Sequence, residues 1–133
     1  MKRYFIDTCV LIWLIAGDKR VKKIASNIEL YQGDYAVPIE VLMEFINLSN
    51  FDKLEVKIEF KKLLDTLKSL GVEIYSFDKK HLKYLNDLPA FTKHTDPIDR
   101  SIIAHAIADK RILISGDGNF SLYENAGLMF LEV

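Results

Sequence analysis

Cysteine is nearly absent from this chain: Cys9 is the only one in 133 residues. A lone thiol excludes an intramolecular disulfide, and its place in the apolar stretch "CVLIWLIA" reads as a reduced core residue. One cysteine and three histidines scattered along the sequence also give no zinc-ligand spacing. Long hydrophobic runs are missing too. That stretch is far shorter than the roughly 20 residues that span a bilayer. Lys2 and Arg3 would suit the start of a secretory signal, but Asp7 falls where its apolar region should begin. No membrane segment is expected, and the expected compartment is the cytoplasm. Excess charge of one sign is lacking as well, with 18 basic against 19 acidic residues and a net charge of -1. Nothing global therefore draws the chain to nucleic acid. Local basic clusters, "KRVKK" at 19–23, "KK" at 61–62 and 79–80 and "KR" at 110–111, read as solvated helix faces or as a phosphate-binding rim.

What is present is the composition of an ordinary globular protein, 50% hydrophobic and 28% charged. Without repeats or linkers, a chain of this length reads as one domain, 1–133, with one core. Strands and helices alternate along it. "RYFID" reads as a buried strand and "TCVLIWLIAG" as a helix closed by Gly17. "KRVKKIASNIELYQG" (19–33) reads as a helix with Val21, Ile24, Ala25 and Ile28 on one side. "DYAVP" is a strand whose Pro38 hands over to the helix "IEVLMEFINLS". "EVKIEFKKLLDTLKSLG" (55–71) is expected to be helical, with Val56, Phe60, Leu63, Leu64 and Leu67 on its apolar face. "VEIYSF" is a strand, and "DKKHLKYLNDL" a helix capped by Asp78 and stopped before Pro89. "PIDRSIIAHAIADK" is a helix, and "RILISGD" and "LMFLEV" are strands. Alternation with almost wholly apolar strands predicts an α/β fold, a mostly parallel central sheet flanked by helices. Ligands bind such sheets outside the C-terminal ends of the strands, where Asp7 and Asp117 fall.

Each acidic residue has two readings. Asp7 could cap the helix after it, and Asp117 could shape the turn "SGDGN". Asp96 suits an N-cap, with Pro97 at N1 and Asp99 at N3 of a modified capping box. Asp99 also lines up with Ile103 and Ala106 on the core-facing stripe. Glu44 sits three residues after Val41 and four before Leu48, at the margin of an apolar face. There a carboxylate either reaches solvent or requires a partner. Glu40, one turn earlier, is expected to be exposed. Together, Asp7, Glu44, Asp99 and Asp117 would converge at one sheet edge with no lysine or arginine among them. Like charges so placed raise each other's pKa unless a cation neutralises them. Oxygen-only ligation suits Mg²⁺, or Mn²⁺, and a water activated by such an ion can cleave a phosphodiester.

The motifs "YFIDTCVLIWL", "VPIEVLMEF", "HTDPIDRSIIAHA" and "ILISGDGNF", in this order and spacing, resemble the PIN-domain ribonucleases, and in particular the VapC-type toxins of toxin–antitoxin pairs. The resemblance runs from the first strand to the last. It implies a PIN-like three-layer α/β fold and a Mg²⁺-dependent endoribonuclease that leaves a 3′-hydroxyl and a 5′-phosphate. Asp7, Asp99 and Asp117 would hold the metal, and Glu44 would position the metal or the water. Thr8 and Ser115 match positions that keep a small hydroxyl near the acids. The chain departs from the pattern at Asn119, where a second acid is common, and at Glu40, where serine is common. Asp96 is either an outer ligand or only a cap. The implied partners are an RNA substrate, a cognate antitoxin and a second copy in a homodimer. Phe45, Phe51, Leu54 and Phe60 are expected to form the antitoxin groove. His94, just before the "DP" pair, could approach a phosphate or pair with an acid, but reads more simply as a loop residue. His105 reads as structural and Trp13 as core. Cys9, two residues after Asp7, argues against a phosphoaspartyl phosphatase, which needs an acid there. A receiver domain would need an acidic pair after the first strand, which is missing. The alternative is a PIN-like domain that has lost catalysis and binds RNA or protein.

Overall fold

Tyr4, Phe5 and Ile6 leave a strand no polar face to turn to water, and all three are buried in β1 (Arg3–Ile6) at the centre of the sheet. The computed structural model describes residues 1–22 and 33–133. Its sheet contains β2 (Asp34–Pro38), β3 (Glu73–Tyr75), β4 (Ile112–Ser115) and β5 (Met129–Glu132), in the order β3-β2-β1-β4-β5. Every pairing is parallel, with Phe5 opposite Ala36 on one side and Leu113 on the other. The chain first builds outward from β1 through β2 to β3, then returns to the opposite side of β1 with β4. The strand order thus reverses between β1 and β4, and a crevice opens at such a point beyond the C-terminal strand ends.

Helices α1 (Thr8–Ala16), α2 (Ile39–Asn50), α3 (Phe60–Ser69), α4 (Lys79–Asp87) and α5 (Pro97–Asp109) connect and cover the strands. Gly17 ends α1 at φ 67°, a left-handed conformation that glycine adopts without steric cost. Helix α2 packs on both α1 and α5, and α4 lies along α5. Phe5, Leu11, Val37, Val41, Ile102 and Leu113 are wholly enclosed between sheet and helices. At the helix ends, Asp96 accepts the Asp99 N–H at 2.9 Å, as its N-cap reading predicts. The Asp78 N–H donates to His81 Nδ1 at 2.8 Å and pins the start of α4.

The structure corrects four expectations. The helix expected from residue 55 begins at Phe60; residues 55–59 lie outside helix and strand and alternate exposed and half-buried with period two. Glu40 is buried rather than exposed, because His105 of α5 reaches it. Trp13 is only half-buried: one side packs on the core while the Arg20 guanidinium lies 4.2 Å from its ring centroid. Of the four apolar residues expected at a groove, Phe45 and Leu54 are core, whereas Phe51 and Phe60 are 74% and 60% exposed. A 3₁₀ helix, Gly118–Ala126, occupies a stretch with no predicted element. The helix expected over 19–33 lies outside the described residues from residue 23 to 32.

Candidate active site

β1 delivers Asp7 to the crevice. The Asp7 N–H donates to the Ile114 carbonyl at 3.0 Å, so pairing with β4 continues through the aspartate. Asp7 holds the N-cap position of α1, yet its side chain makes no cap hydrogen bond. Oδ2 instead accepts the Ser115 hydroxyl at 2.6 Å, and the buried Oδ1 has no partner. Capping therefore does not explain this carboxylate. Ser115 ends β4 and also accepts the Asp117 N–H at 3.0 Å, joining the two acid-bearing segments. Thr8, the other hydroxyl singled out by sequence, is buried with Oγ1 unpartnered.

Asp117 performs the turn role its neighbours suggest: its carboxylate accepts the Asn119 N–H at 2.9 Å and starts the 3₁₀ helix. The Asn119 residue itself is exposed. Glu44 is half-buried on α2 and faces the crevice, an open cleft of about 560 Å³ also lined by Asp7, Thr8, Cys9, Trp13 and Asp117. Asp99 comes from the first turn of α5. His94 lies in the loop before α5 but is no solvated loop residue, since it is 6% exposed and places Nε2 3.4 Å from Asp99 Oδ2.

Asp99 is the hub of this edge. Its carboxylate groups with those of Glu44 and Asp96 on one side, and with His94 and Asp117 on the other. Within each trio the potential ligand atoms lie within 4.8 Å of one another. Asp7 belongs to neither trio, but its charge reaches Asp99. Burial, followed by the charges of Asp7, Asp96, Glu44 and Asp117, pushes the Asp99 carboxyl up to about 7. Burial also raises Asp7 to about 6; the Ser115 hydroxyl and Thr8 N–H oppose this, and Glu44 and Asp117 add to it. Among the described residues, no lysine or arginine forms an ion pair with any of the four acids. Arg20 lines the cleft but is held by Asp18 at 2.8 Å. Carboxylates lifted this far, with a buried oxygen left bare at Asp7, fit a hard divalent cation as their missing partner.

Three features had no clear signal in the sequence. Cys9 is not simply core: its Sγ lies 3.9 Å from both Asp7 Oδ2 and Ser115 Oγ and accepts the Gly116 N–H at 3.3 Å. A side chain at Gly116 would meet Trp13 at 3.1 Å, so the loop passes close over α1. Tyr123, which braces His94 from the 3₁₀ helix at 2.8 Å, could not be identified without the fold. His81 and His105, distant in sequence, also meet in space beside Asp109.

The family model of the PIN domain matches residues 4–125. The chain belongs to the PIN-domain family. Its fold is similar to that of VapBC2 from Rickettsia felis bound to a promoter DNA fragment, at 23% identity and TM-score 0.74 over 98% of both chains. It is also similar to VapBC-1 from nontypeable Haemophilus influenzae, at 15% identity and TM-score 0.70, covering 98% of this chain and 97% of that one. DNA-bound VapBC from Salmonella typhimurium aligns at 16% identity and TM-score 0.67, covering 99% and 98%. No curated protein sequence matches. Among the described residues, no helix of this PIN domain is long and apolar enough to cross a membrane.

Proposed function

We propose that this PIN domain is a divalent-metal-dependent endoribonuclease and the toxin of a toxin–antitoxin pair. One observation carries the nuclease reading. Two carboxyl groups at a topological switch point, Asp7 and Asp99, are raised toward neutrality without any lysine or arginine partner among the described residues. Asp99 and Asp117 would hold Mg²⁺ or Mn²⁺ directly, with Asp7 completing the negative field and Glu44 facing the same cleft. When bound, the ion supplies charge for the phosphate and an acidified water as nucleophile. Ser115 would keep Asp7 aimed by donating to Oδ2, which leaves Oδ1 without a partner among the described residues. Glu44, which forms no ion pair among the described residues, would take the proton as the water oxygen bonds to phosphorus. The P–O3′ bond breaks, the 3′-oxygen gains a proton, and the phosphate stays on the 5′ side.

The toxin reading draws on the VapBC complexes that share this fold and on the surface between α2 and α3. There a groove of about 210 Å³ is lined by Phe45, Ile46, Ile58, Phe60 and Leu63. With Phe60 and Phe51 exposed beside it, the groove suits an apolar segment of an antitoxin. The test is cleavage of defined RNAs by the purified protein with Mg²⁺, Mn²⁺ or a chelator, together with end-group analysis. Metal-dependent products with 5′-phosphates are expected, and the free protein's mass reports whether it is the homodimer the resemblance implies. Chelator-resistant cleavage, or RNA binding without cleavage, would overturn the enzymatic reading.

A further inference from the structure

His94 carries an observation that four acids alone do not explain. Its Nε2 is buried without a hydrogen-bond partner, although Asp99 Oδ2 lies only 3.4 Å away. The separation is that of an ion pair, but a proton on Nε2 would not align with the carboxylate as a hydrogen bond. The other ring nitrogen is fully engaged. Nδ1 lies 2.8 Å from the Tyr123 hydroxyl, which also receives Arg100 Nη1 at 3.2 Å and faces the His94 carbonyl at 3.4 Å. Arg100 can only donate and the carbonyl can only accept. All of these groups are satisfied at once when Nδ1–H donates to Tyr123 and the hydroxyl proton turns to the carbonyl. That tautomer leaves a lone pair on Nε2, facing Asp99 and close to Asp117.

We propose that His94 Nε2 is a metal ligand, so that His94, Asp99 and Asp117 form a mixed imidazole–carboxylate site that binds Mn²⁺ in preference to Mg²⁺. The proposal rests on the reading of this edge as a divalent-metal centre and names the ion that centre selects. Donors sharing one ion at about 2.1–2.2 Å stand about 3 Å apart when they meet at a right angle. The 3.4 Å between Nε2 and Oδ2 fits that arrangement. An imidazole nitrogen adds affinity for a first-row transition ion, whereas Mg²⁺ is served best by oxygen. Tyr123 and Arg100 act as the outer partners that fix a ligand's tautomer and orientation. Arg100 is itself anchored on the Pro89 carbonyl at 2.7 Å and the Leu88 carbonyl at 3.3 Å. The ring also packs edge-on against Phe120 and Tyr123, which leaves it little freedom to swing away.

The test is pulsed electron paramagnetic resonance of Mn²⁺ bound to the full chain, with binding titrations of Mn²⁺ and Mg²⁺. Wild-type protein should show nitrogen modulation on Mn²⁺ that changes when histidine is labelled with ¹⁵N. In His94→Gln the modulation should vanish and Mn²⁺ affinity should fall roughly tenfold or more, with a smaller change for Mg²⁺. Tyr123→Phe, which keeps the ring in place, should weaken Mn²⁺ binding while retaining the modulation. Mn²⁺ bound to wild type without nitrogen modulation would overturn the role of His94 and leave the acid centre standing. Absence of Mn²⁺ and Mg²⁺ binding would overturn both. If His94→Gln fails to fold, Mn²⁺ binding that is unweakened in Tyr123→Phe would overturn the role of His94, since Tyr123 touches that imidazole and neither of the other two.

Discussion

Two groups of histidine and carboxylate draw on the same pair of helices, α2 and α5, and differ in whether every carboxylate is matched by an imidazole. At one, Glu40 meets His105 Nδ1 at 2.9 Å, and His105 Nε2 stands 3.2 Å from Asp109 Oδ2. Asp109 Oδ1 in turn meets His81 Nε2 at 2.9 Å, and the two imidazoles stack among Phe5 and Phe77. The other group contains Glu44, one turn further along α2, and Asp99, at the opposite end of α5. There the acids face one another. Burial of a carboxylate is therefore not the mark of a site, since Glu40 is among the most buried acids described. The mark is burial without a partner. In the buried cluster His105 Nε2 is likewise without a hydrogen-bond partner among the described residues, but His81 cannot join it as a ligand. His81 Nδ1 accepts the Asp78 N–H, so Nε2 carries the ring proton and has no lone pair to give.

Exchanging the properties of the two groups tests this distinction. The largest effect is expected from Asp99→Asn or Asp7→Asn, which should lower RNA cleavage by about three orders of magnitude. Thermal unfolding of the same variants without metal should occur at or above the wild-type temperature, because one repelling charge has gone. His105→Leu should do the reverse, costing about 3–5 kcal/mol in chemical denaturation by removing the imidazole that faces the buried Glu40 carboxylate. Its residual cleavage at low temperature should stay near wild type.

Next comes pH. Asp7 at about 6 and Asp99 at about 7 both titrate above an ordinary aspartate, so the folded state holds protons that the unfolded chain releases. Their stabilising contribution is complete below about pH 4 and is lost as pH rises through 6 to 7. Metal-free protein should therefore lose on the order of 2 kcal/mol between pH 5 and pH 8, with solvent screening reducing the part from half-exposed Asp99. Asp7→Asn, Asp99→Asn or bound metal should flatten that slope in denaturant titrations at each pH. The smallest effect belongs to the surface. Phe51→Asp should change stability by less than about 0.5 kcal/mol while weakening inhibition by the antitoxin, whereas Leu54→Asp should unfold the domain.

The sheet was legible in the sequence because its strands are buried on both faces and read as short apolar runs between helices. The ends of β1 and β4 were legible for the same reason: Asp7 and Asp117 stop those runs. The non-helical course of 55–59 was readable in principle from its period-two alternation, but the apolar face continuing into α3 masked it. Glu40 was not legible. It stands off the apolar stripe of α2, and its partner His105 lies 65 residues away. Loop residues such as His94 carry no periodicity, and both Tyr123 and the 3₁₀ helix that presents it follow a turn-rich string. For these residues, only tertiary contact separates a buried participant from a solvated side chain.

The most direct measurement is anomalous X-ray scattering from crystals of the full chain soaked in Mn²⁺. The matched and unmatched groups are then alternative places for one ion in one experiment. Anomalous density within roughly 2.0–2.6 Å of Asp99, with at least one of Asp117, Glu44 or Asp7 beside it, is the expected result. Density at His81, His105 and Asp109 with the acid edge empty would contradict the account, as would a lysine or arginine folded onto the four acids in place of metal.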